Sequence, residues 1–239
     1  MNSFSSSISL VEVGVLSSLF DYAADVAFFV KDEQGRYVVV NDSLCERHGL
    51  KDKSQAIGKK CSDIITGDFG LMPSRQDEKV ISTGTPIIEY LEMHWLRPHQ
   101  PVWCLTTKLP LTDSGNNVVG LIGFSRDVSV PMRPEEVPAD FAVALNKFKN
   151  NLAEKVTPGT LAEQSNLKPY QLTKLTKRIY GLTPSQLITK LRITAASQLL
   201  RDSSLSILQV ANQCGYFDHS AFARAFKATT GFTPTYFRK

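Results

Sequence analysis

The side chains with the clearest chemistry form two polar and basic groups in the last third of the chain. In each group they occupy one side of a helical period, opposite an apolar side. Arginine can donate two parallel hydrogen bonds to a guanine edge, whereas lysine offers a mobile positive charge. Arg224 and Lys174 stand at equivalent places, so the two groups predict contact with double-stranded DNA. The predicted contact residues are Tyr170, Gln171, Thr173, Lys174 and Lys177, then His219, Ser220, Ala223, Arg224 and Lys227.

Both groups belong to a repeated segment. Residues 162–167 recur 49 residues later as 211–216, and Gly181-Leu182-Thr183-Pro184 recurs 50 residues later as Gly231-Phe232-Thr233-Pro234. A repeat of this kind indicates one structural unit used twice.

Each copy has the signals of a helix, a turn and a second helix. Capping boxes at Thr160-x-x-Glu163 and Ser206-x-x-Gln209 predict where the first helices begin. Asn166 and Gly215 tolerate left-handed backbone angles and predict the turns. The second helices are predicted over Pro169 to Tyr180 and Asp218 to Thr230, which makes two helix-turn-helix units.

A long helix is predicted between the units. Thr183-Pro184-x-Gln186 supplies a cap, a proline at the first helical position and a capping-box amide. An apolar stripe then runs toward Arg201 through Leu187, Ile188, Leu191, Ala195 and Leu199. Such a helix would hold the two units at a spacing that suits major grooves about 34 Å apart.

Residues 139–239 resemble the DNA-binding domain of the AraC/XylS family of bacterial transcription regulators. The second unit carries the resemblance in Cys214-Gly215-Tyr216, Phe222-x-Arg224-Ala225-Phe226-Lys227, Gly231-Phe232-Thr233-Pro234 and Phe237-Arg238. The first unit has Thr176 where that family usually has a buried Phe, which predicts a looser core. The resemblance implies a transcription regulator, with RNA polymerase as a further partner if it activates.

The charge distribution divides the chain at Pro138. Residues 1–138 contain 13 Lys and Arg against 18 Asp and Glu, whereas residues 139–239 contain 14 against 5. Phosphate neutralisation requires positive charge where the helix-turn-helix units lie. A proline-rich stretch precedes the basic half and reads as a linker. We therefore expect a domain over 1–130, a linker over 131–138 and a DNA-binding domain over 139–239.

The first half predicts a mixed α/β domain. Two β-rich runs flank Gly35, a helix starts near Asn41, and short helices lead to Gly84. Three more strands are expected over Pro86 to Trp95, Val102 to Leu109 and Val118 to Val128. This order and the motifs Phe29-Val30-Lys31-Asp32-x-x-Gly35 and Gly120-x-x-Gly123-x-x-Arg126-Asp127 resemble a PAS domain. The fold class is then α+β: a PAS-like five-stranded antiparallel sheet with helices, followed by an all-α domain of two helix-turn-helix units joined by a long helix.

The PAS resemblance implies a sensor or dimerisation domain. The apolar lead, with Leu10, Val11, Val13, Val15, Leu16, Leu19 and Phe20, predicts a homodimer through this domain, because so much apolar surface is costly to expose. A small-molecule effector is possible, and its candidate wall residues are Phe28, Tyr37, Val39, Trp103 and Phe124. Alternatives are a ligand-free domain that only dimerises or docks another protein, and a haem or redox sensor. His94, His99 and Cys104 could serve as metal or haem ligands, but they flank a hairpin turn that contains Pro98 and Pro101, so no metal site is expected.

Several classes of protein are disfavoured. No Ser/His/Asp set, carboxylate pair or phosphate loop stands out, which argues against an enzyme. No apolar run is long enough to span a bilayer, and four cysteines without C-x-x-C spacing read as reduced thiols. We therefore expect a cytoplasmic, nucleoid-associated protein.

Overall fold

The computed structural model describes residues 15–65, 70–97, 100–128 and 137–238, and the side chains within them other than those of 95–101. The chain divides into two compact units, Met1–Asp127 and Val128–Lys239. The predicted lead residues Leu10, Val11 and Val13, the candidate ligand His99 and most of the predicted linker lie outside the described residues.

The first unit is built on a five-stranded antiparallel sheet. A short helix, α1, covers residues 15–20. Strands β1 (Val26–Asp32) and β2 (Tyr37–Val40) form the expected hairpin, and β3 (Ile87–Arg97), β4 (Gln100–Thr112) and β5 (Val118–Asp127) complete a sheet of order β2-β1-β5-β4-β3. Between the hairpin and β3 lie α2 (Asp42–Arg47), a 3₁₀ helix (Lys53–Gln55), α3 (Cys61–Ile64) and α4 (Leu71–Thr83). The predicted fold of this half is confirmed.

Asn41 joins three elements of this unit. Its side-chain carbonyl accepts hydrogen bonds from the backbone N–H groups of Phe28 (2.9 Å) and Leu44 (3.1 Å), the second of which caps α2. Its amide nitrogen donates to the carbonyls of Phe20 (3.0 Å) and Val26 (2.8 Å). The side chain is fully buried, so these bonds satisfy polar atoms that water cannot reach.

The sheet has two distinct faces because side chains alternate along each strand. Toward α2, α3 and α4, the core contains Ala27, Phe29, Tyr37 and Leu121. On the opposite face, the ring of Phe20 stacks on that of Phe28 with 4.6 Å between centroids. All of β1 except Asp32 is buried, so this strand is covered on both faces, as its apolar sequence predicts.

The second unit is helical throughout its described residues. It contains α5 (Ala139–Asn150), α6 (Pro158–Gln164), α7 (Pro169–Tyr180), α8 (Pro184–Asp202), α9 (Ile207–Gln213), α10 (His219–Thr230) and α11 (Pro234–Phe237). The predicted second helices and central helix are α7, α10 and α8. Helix α5 was not predicted; it buries Phe141, Ala144, Leu145 and Phe148.

Two predicted details of this unit are wrong. The N-cap of α6 lies three residues before the expected one, because Thr157 is the N-cap and Pro158 occupies the first turn. Thr157 and Thr160 form the capping box, so Glu163 has no part in it, whereas the box at Ser206 and Gln209 is confirmed. The apolar stripe of α8 was also misplaced in its second half, where Ile193, Ala196 and Leu200 are buried and Leu191, Ala195 and Leu199 are only half-buried.

Candidate DNA interface

The two helix-turn-helix units have matching turns. Asn166 follows α6 with φ 53°, and Gly215 follows α9 with φ 75°. Both residues therefore adopt the left-handed conformation that lets the chain leave one helix and begin the next. The predicted turns are confirmed.

The first helix-turn-helix unit presents α7 with a polar outer face. Leu172, Leu175, Thr176 and Ile179 are buried, which leaves Tyr170, Gln171, Thr173 and Lys174 exposed and Lys177 half-buried. Two of these side chains already bond to the helix itself: Gln171 Oε1 accepts from the backbone N–H of Lys168 (2.8 Å), and Thr173 Oγ1 donates to the carbonyl of Pro169 (3.0 Å). Tyr170 and Lys174 are therefore the side chains of this group best placed to reach a ligand.

Arg178 belongs with this face but was not predicted. It is exposed and, with Tyr170, Gln171 and Lys174, lines a shallow groove of about 420 Å³ beside α7. Its position four residues after Lys174 places it on the same side of the helix, which was the signal available in the sequence.

The second helix-turn-helix unit presents α10 in the same way, and its core contains two phenylalanines. Phe222 and Phe226 are fully buried, and Phe222 packs against Tyr216 with 5.3 Å between ring centroids. His219, Ser220, Arg224 and Lys227 are exposed, while Ala223 is half-buried. In the first helix-turn-helix unit, Thr176 stands at the place equivalent to Phe226, and its hydroxyl donates to the carbonyl of Thr173 (3.3 Å).

The start of α10 is held by Asp218. Its carboxylate accepts from the backbone N–H groups of Ser220 (3.0 Å) and Ala221 (2.9 Å). These bonds lower the pKa of Asp218, with a smaller effect from Arg224. The Arg224 side chain is 74% exposed and its Nη2 lies 3.9 Å from Asp218 Oδ2, so the guanidinium is available to a ligand.

Arg192 of α8 contacts the segment just after the turn of the second helix-turn-helix unit, helix α5 and the loop that follows α5. Its Nη2 donates to the carbonyl of Glu154 (3.1 Å), and its guanidinium lies against the rings of Phe148 and Tyr216, 5.5 Å and 5.8 Å from their centroids. Burial lowers the pKa of this group. Helix α8 therefore joins the two helix-turn-helix units and orients the second of them.

The five candidate effector residues do not lie on one face of the sheet. Tyr37 lines a cavity of about 30 Å³ on the face toward α2, α3 and α4. Phe28 and Phe124 are paired across β1 and β5 on the opposite face, beside Phe20. Val39 pairs with Val30 and Trp103 with Met93, and strand alternation places both on that opposite face.

The cavity wall is instead rich in charged side chains that the sequence analysis did not select. They include Lys31, Arg47, Glu92 and Lys108. The signal was a charged residue at an inward position of an otherwise apolar strand, as Lys31 is after Ala27 and Phe29.

Two of the residues considered as metal or haem ligands are in separate contacts. His94 Nε2 lies 2.9 Å from Glu92 Oε1, and the Cys104 thiol lies 3.4 Å from Arg47 Nη1.

Among the described residues, no helix has both the length and the apolar character needed to cross a membrane.

Comparison with known proteins agrees with this division. The family profile described as a helix-turn-helix domain, which is of the AraC type, matches residues 161–239. The profile described as a PAS fold matches residues 22–131. The two profiles match different units of the structure.

Relatives and solved structures match different shares of the chain. The raffinose operon transcriptional regulatory protein RafR of Pediococcus pentosaceus is 35% identical over 99 residues, which are 41% of this chain and only 36% of RafR. The HTH-type transcriptional activator RhaS of Escherichia coli is 23% identical over 219 residues, covering 86% of this chain and 73% of RhaS. The DNA-binding domain of AdpA, solved in complex with a target DNA, is 24% identical with a TM-score of 0.40, covering 41% of this chain and 89% of that one. The chain therefore carries a helix-turn-helix domain of the AraC type at its C-terminal end, with a PAS fold before it.

Proposed function

We propose that this protein is a dimeric, sequence-specific DNA-binding transcription regulator whose PAS unit senses a small effector. The observation that carries the DNA-binding part is the pair of helices α7 and α10, each following a left-handed turn and each presenting basic side chains outward. Helix α8 joins the two helix-turn-helix units, so one chain would place α7 and α10 in successive major grooves. In this proposal Tyr170, Lys174 and Arg178 contact DNA from α7, and His219, Ser220, Arg224 and Lys227 contact it from α10.

The dimer is proposed to form through the PAS unit. On α1, Val15 and Leu19 are 62% and 64% exposed, and Tyr22 just after it is 93% exposed. Three neighbouring apolar side chains at the surface favour an intermolecular contact. A change in how two PAS units pair would alter the spacing of the DNA-binding units, provided that the effector binds the two arrangements with different affinity.

We also propose that the protein lies in the cytoplasm, on the nucleoid. If it activates transcription, RNA polymerase is its further partner.

The test is to prepare residues 1–130 and 139–239 separately and to measure the mass of each in solution, with and without DNA. We expect 1–130 to be a dimer and 139–239 to be a monomer that still binds DNA. A sequence selected from a random DNA pool by the full chain serves as the specific site for this measurement.

Two results would contradict the proposal. A monomeric 1–130 fragment would refute dimerisation through the PAS unit. A folded 139–239 fragment that binds the selected and the scrambled sequence equally would refute sequence-specific reading by this unit.

A further inference from the structure

The cavity in the PAS unit is small and lined by charged side chains. Its volume of about 30 Å³ corresponds to one or two water molecules. Apolar side chains such as Phe29 and Leu44 form part of its wall, together with Lys31, Lys108 and Arg47. Buried cationic groups around one small cavity are unusual, because charged residues are rarely buried without a partner.

Two of these cations share one carboxylate. Lys108 Nζ donates to Asp77 Oδ1 (2.7 Å), and Lys31 Nζ donates to Asp77 Oδ2. The three side chains are only 2–3% exposed. Arg47 forms a second ion pair with Asp127.

This cluster is not what stability alone would select. Moving ionic groups from water into a protein interior costs several kcal/mol per ion, and well-packed apolar residues often stabilise such a position as well or better. Asp77, Lys31 and Lys108 are nevertheless charged and almost fully buried. Their presence beside a cavity therefore points to a binding role.

The two lysines of the wall have more hydrogen-bond donors than they have acceptors around them. An ammonium group has three donors, and within the described residues Lys31 Nζ has one hydrogen-bond acceptor, Asp77, with the Tyr37 ring 4.1 Å away. Lys108 Nζ donates to Asp77 and, at 3.1 Å, to the carbonyl of Pro73.

The carboxylates of the wall are already engaged. Both Asp77 oxygens accept from lysines, and the two Glu92 oxygens lie 2.9 Å from His94 Nε2 and 2.7 Å from Gln76 Nε2. Burial raises the pKa of Tyr37, so its phenol keeps its proton, and its hydroxyl is hydrogen-bonded to the Cys61 side chain. A ligand that bonds to the two lysines must bring acceptor atoms.

We infer that the effector site of this protein binds a small carboxylate, which accepts hydrogen bonds from the Lys31 and Lys108 ammonium groups. This inference rests on the proposed function, in which the PAS unit senses an effector. The two carboxylate oxygens would replace the one or two water molecules for which the cavity has room, and the rest of the ligand requires the wall side chains to move apart. The oxygens would accept the hydrogen bonds that the two lysines still have to donate, and such charge-assisted bonds are strong in a buried site.

The test uses the full chain and three small probes of similar size: acetate, acetamide and methylammonium, with sodium chloride at equal ionic strength as reference. Unfolding is followed by tryptophan fluorescence, since Trp95 and Trp103 are the two tryptophans of the chain and both lie in the PAS unit. A ligand that binds only the folded state raises Tm with the logarithm of its concentration. We expect this rise with acetate and not with methylammonium.

The variant Lys31→Met leaves Asp77 paired with Lys108, so the buried carboxylate still has a cationic partner. We expect it to fold and to weaken acetate binding on the order of tenfold or more, as for the loss of a charge-assisted hydrogen bond. Lys108→Met tests the same point if Lys31→Met fails to fold. The matched control is Lys53→Met, because Lys53 is 37% exposed, pairs with Asp21 and Asp42, and lies outside the cavity wall; it should bind acetate as the wild type does.

The outcomes separate the ligand class from the proposed function. Stabilisation by methylammonium or acetamide but not acetate would overturn the carboxylate assignment and leave an effector site in place. No response to any probe, or equal acetate binding by Lys31→Met, would also overturn it. If acetate binds through Lys31 but leaves the affinity for the selected DNA unchanged, the ligand class stands and the sensing role fails.

Discussion

Gly215 offers the sharpest test of the turn in the second helix-turn-helix unit, through the substitution Gly215→Asn. The equivalent residue of the first unit is Asn166, which adopts the same left-handed conformation with φ 53°. Asparagine therefore tolerates the backbone angle. What differs is the space, because a Cβ at Gly215 would lie 2.3 Å from the carbonyl oxygen of Leu152 and 2.8 Å from Arg192 Nη2.

The expected loss combines two terms. The left-handed angle costs asparagine about 1 kcal/mol relative to glycine. The contact with Leu152 involves backbone, which cannot rotate away as a side-chain end can, and overpacking of this kind costs about 1–3 kcal/mol. We expect Gly215→Asn to lower the free energy of unfolding of the DNA-binding unit by about 2–4 kcal/mol, and its Tm by roughly 10 °C or more.

The assay is urea or thermal unfolding of the full chain with two signals. Helical circular dichroism reports mainly on the DNA-binding unit, which is helical throughout its described residues, and tryptophan fluorescence reports on the PAS unit. The first transition should shift and the second should stay. Asn166→Gly is the control: it relieves the angle but loses the bond from Asn166 Nδ2 to Asp140 Oδ2 (3.0 Å), which is exposed, so the net change should stay within about 1 kcal/mol.

A Gly215→Asn protein that unfolds at the wild-type urea concentration would show that the second turn does not approach Leu152 as described. A shift in both transitions would mean that the substitution acts beyond this turn.

Three further results are expected. Arg224→Ala should lose about 1–3 kcal/mol of binding to the selected site and little on random DNA, measured by competition at fixed salt, whereas equal losses on both would mean that Arg224 only contacts phosphate. Asn41→Ala should destabilise the PAS unit by about 2–4 kcal/mol in the fluorescence transition, because buried backbone groups lose their partners; a wild-type transition would contradict the hydrogen bonds assigned to Asn41. The fluorescence Tm should also fall with pH below about 6.5, because burial lowers the pKa of His48 to about 3, so that only the unfolded chain binds the proton in that range. The stability tied to His48 is thus complete above about 6.5 and lost as pH falls toward 3, and His48→Gln should flatten the slope between pH 6.5 and 5.

The DNA-binding unit was largely readable from the sequence because its signals are local. The caps Thr183 and Ser206, the left-handed Asn166 and Gly215 and the apolar period of α7 each act within one or two helical turns. The cap of α6 was misread because both Thr157 and Thr160 stand near the helix start, and the choice depends on where Pro158 can fit. The order of elements along the PAS unit, two strands, then helices, then three strands, also followed from the β-rich runs and the turn signals between them.

The cavity of the PAS unit was decided by tertiary structure alone. Lys31 and Asp77 are 46 residues apart, and Lys108 lies 31 residues beyond Asp77, on a different strand. Nothing local in any of these strands or helices shows that the three meet, since a charged residue in a strand ordinarily points to solvent. The aromatic residues chosen from the sequence were apolar enough for a pocket wall, but strand register turned Phe28 and Phe124 to the other face. Which face of a sheet closes over a cavity depends on how the helices pack against it, and that packing is a property of the whole chain.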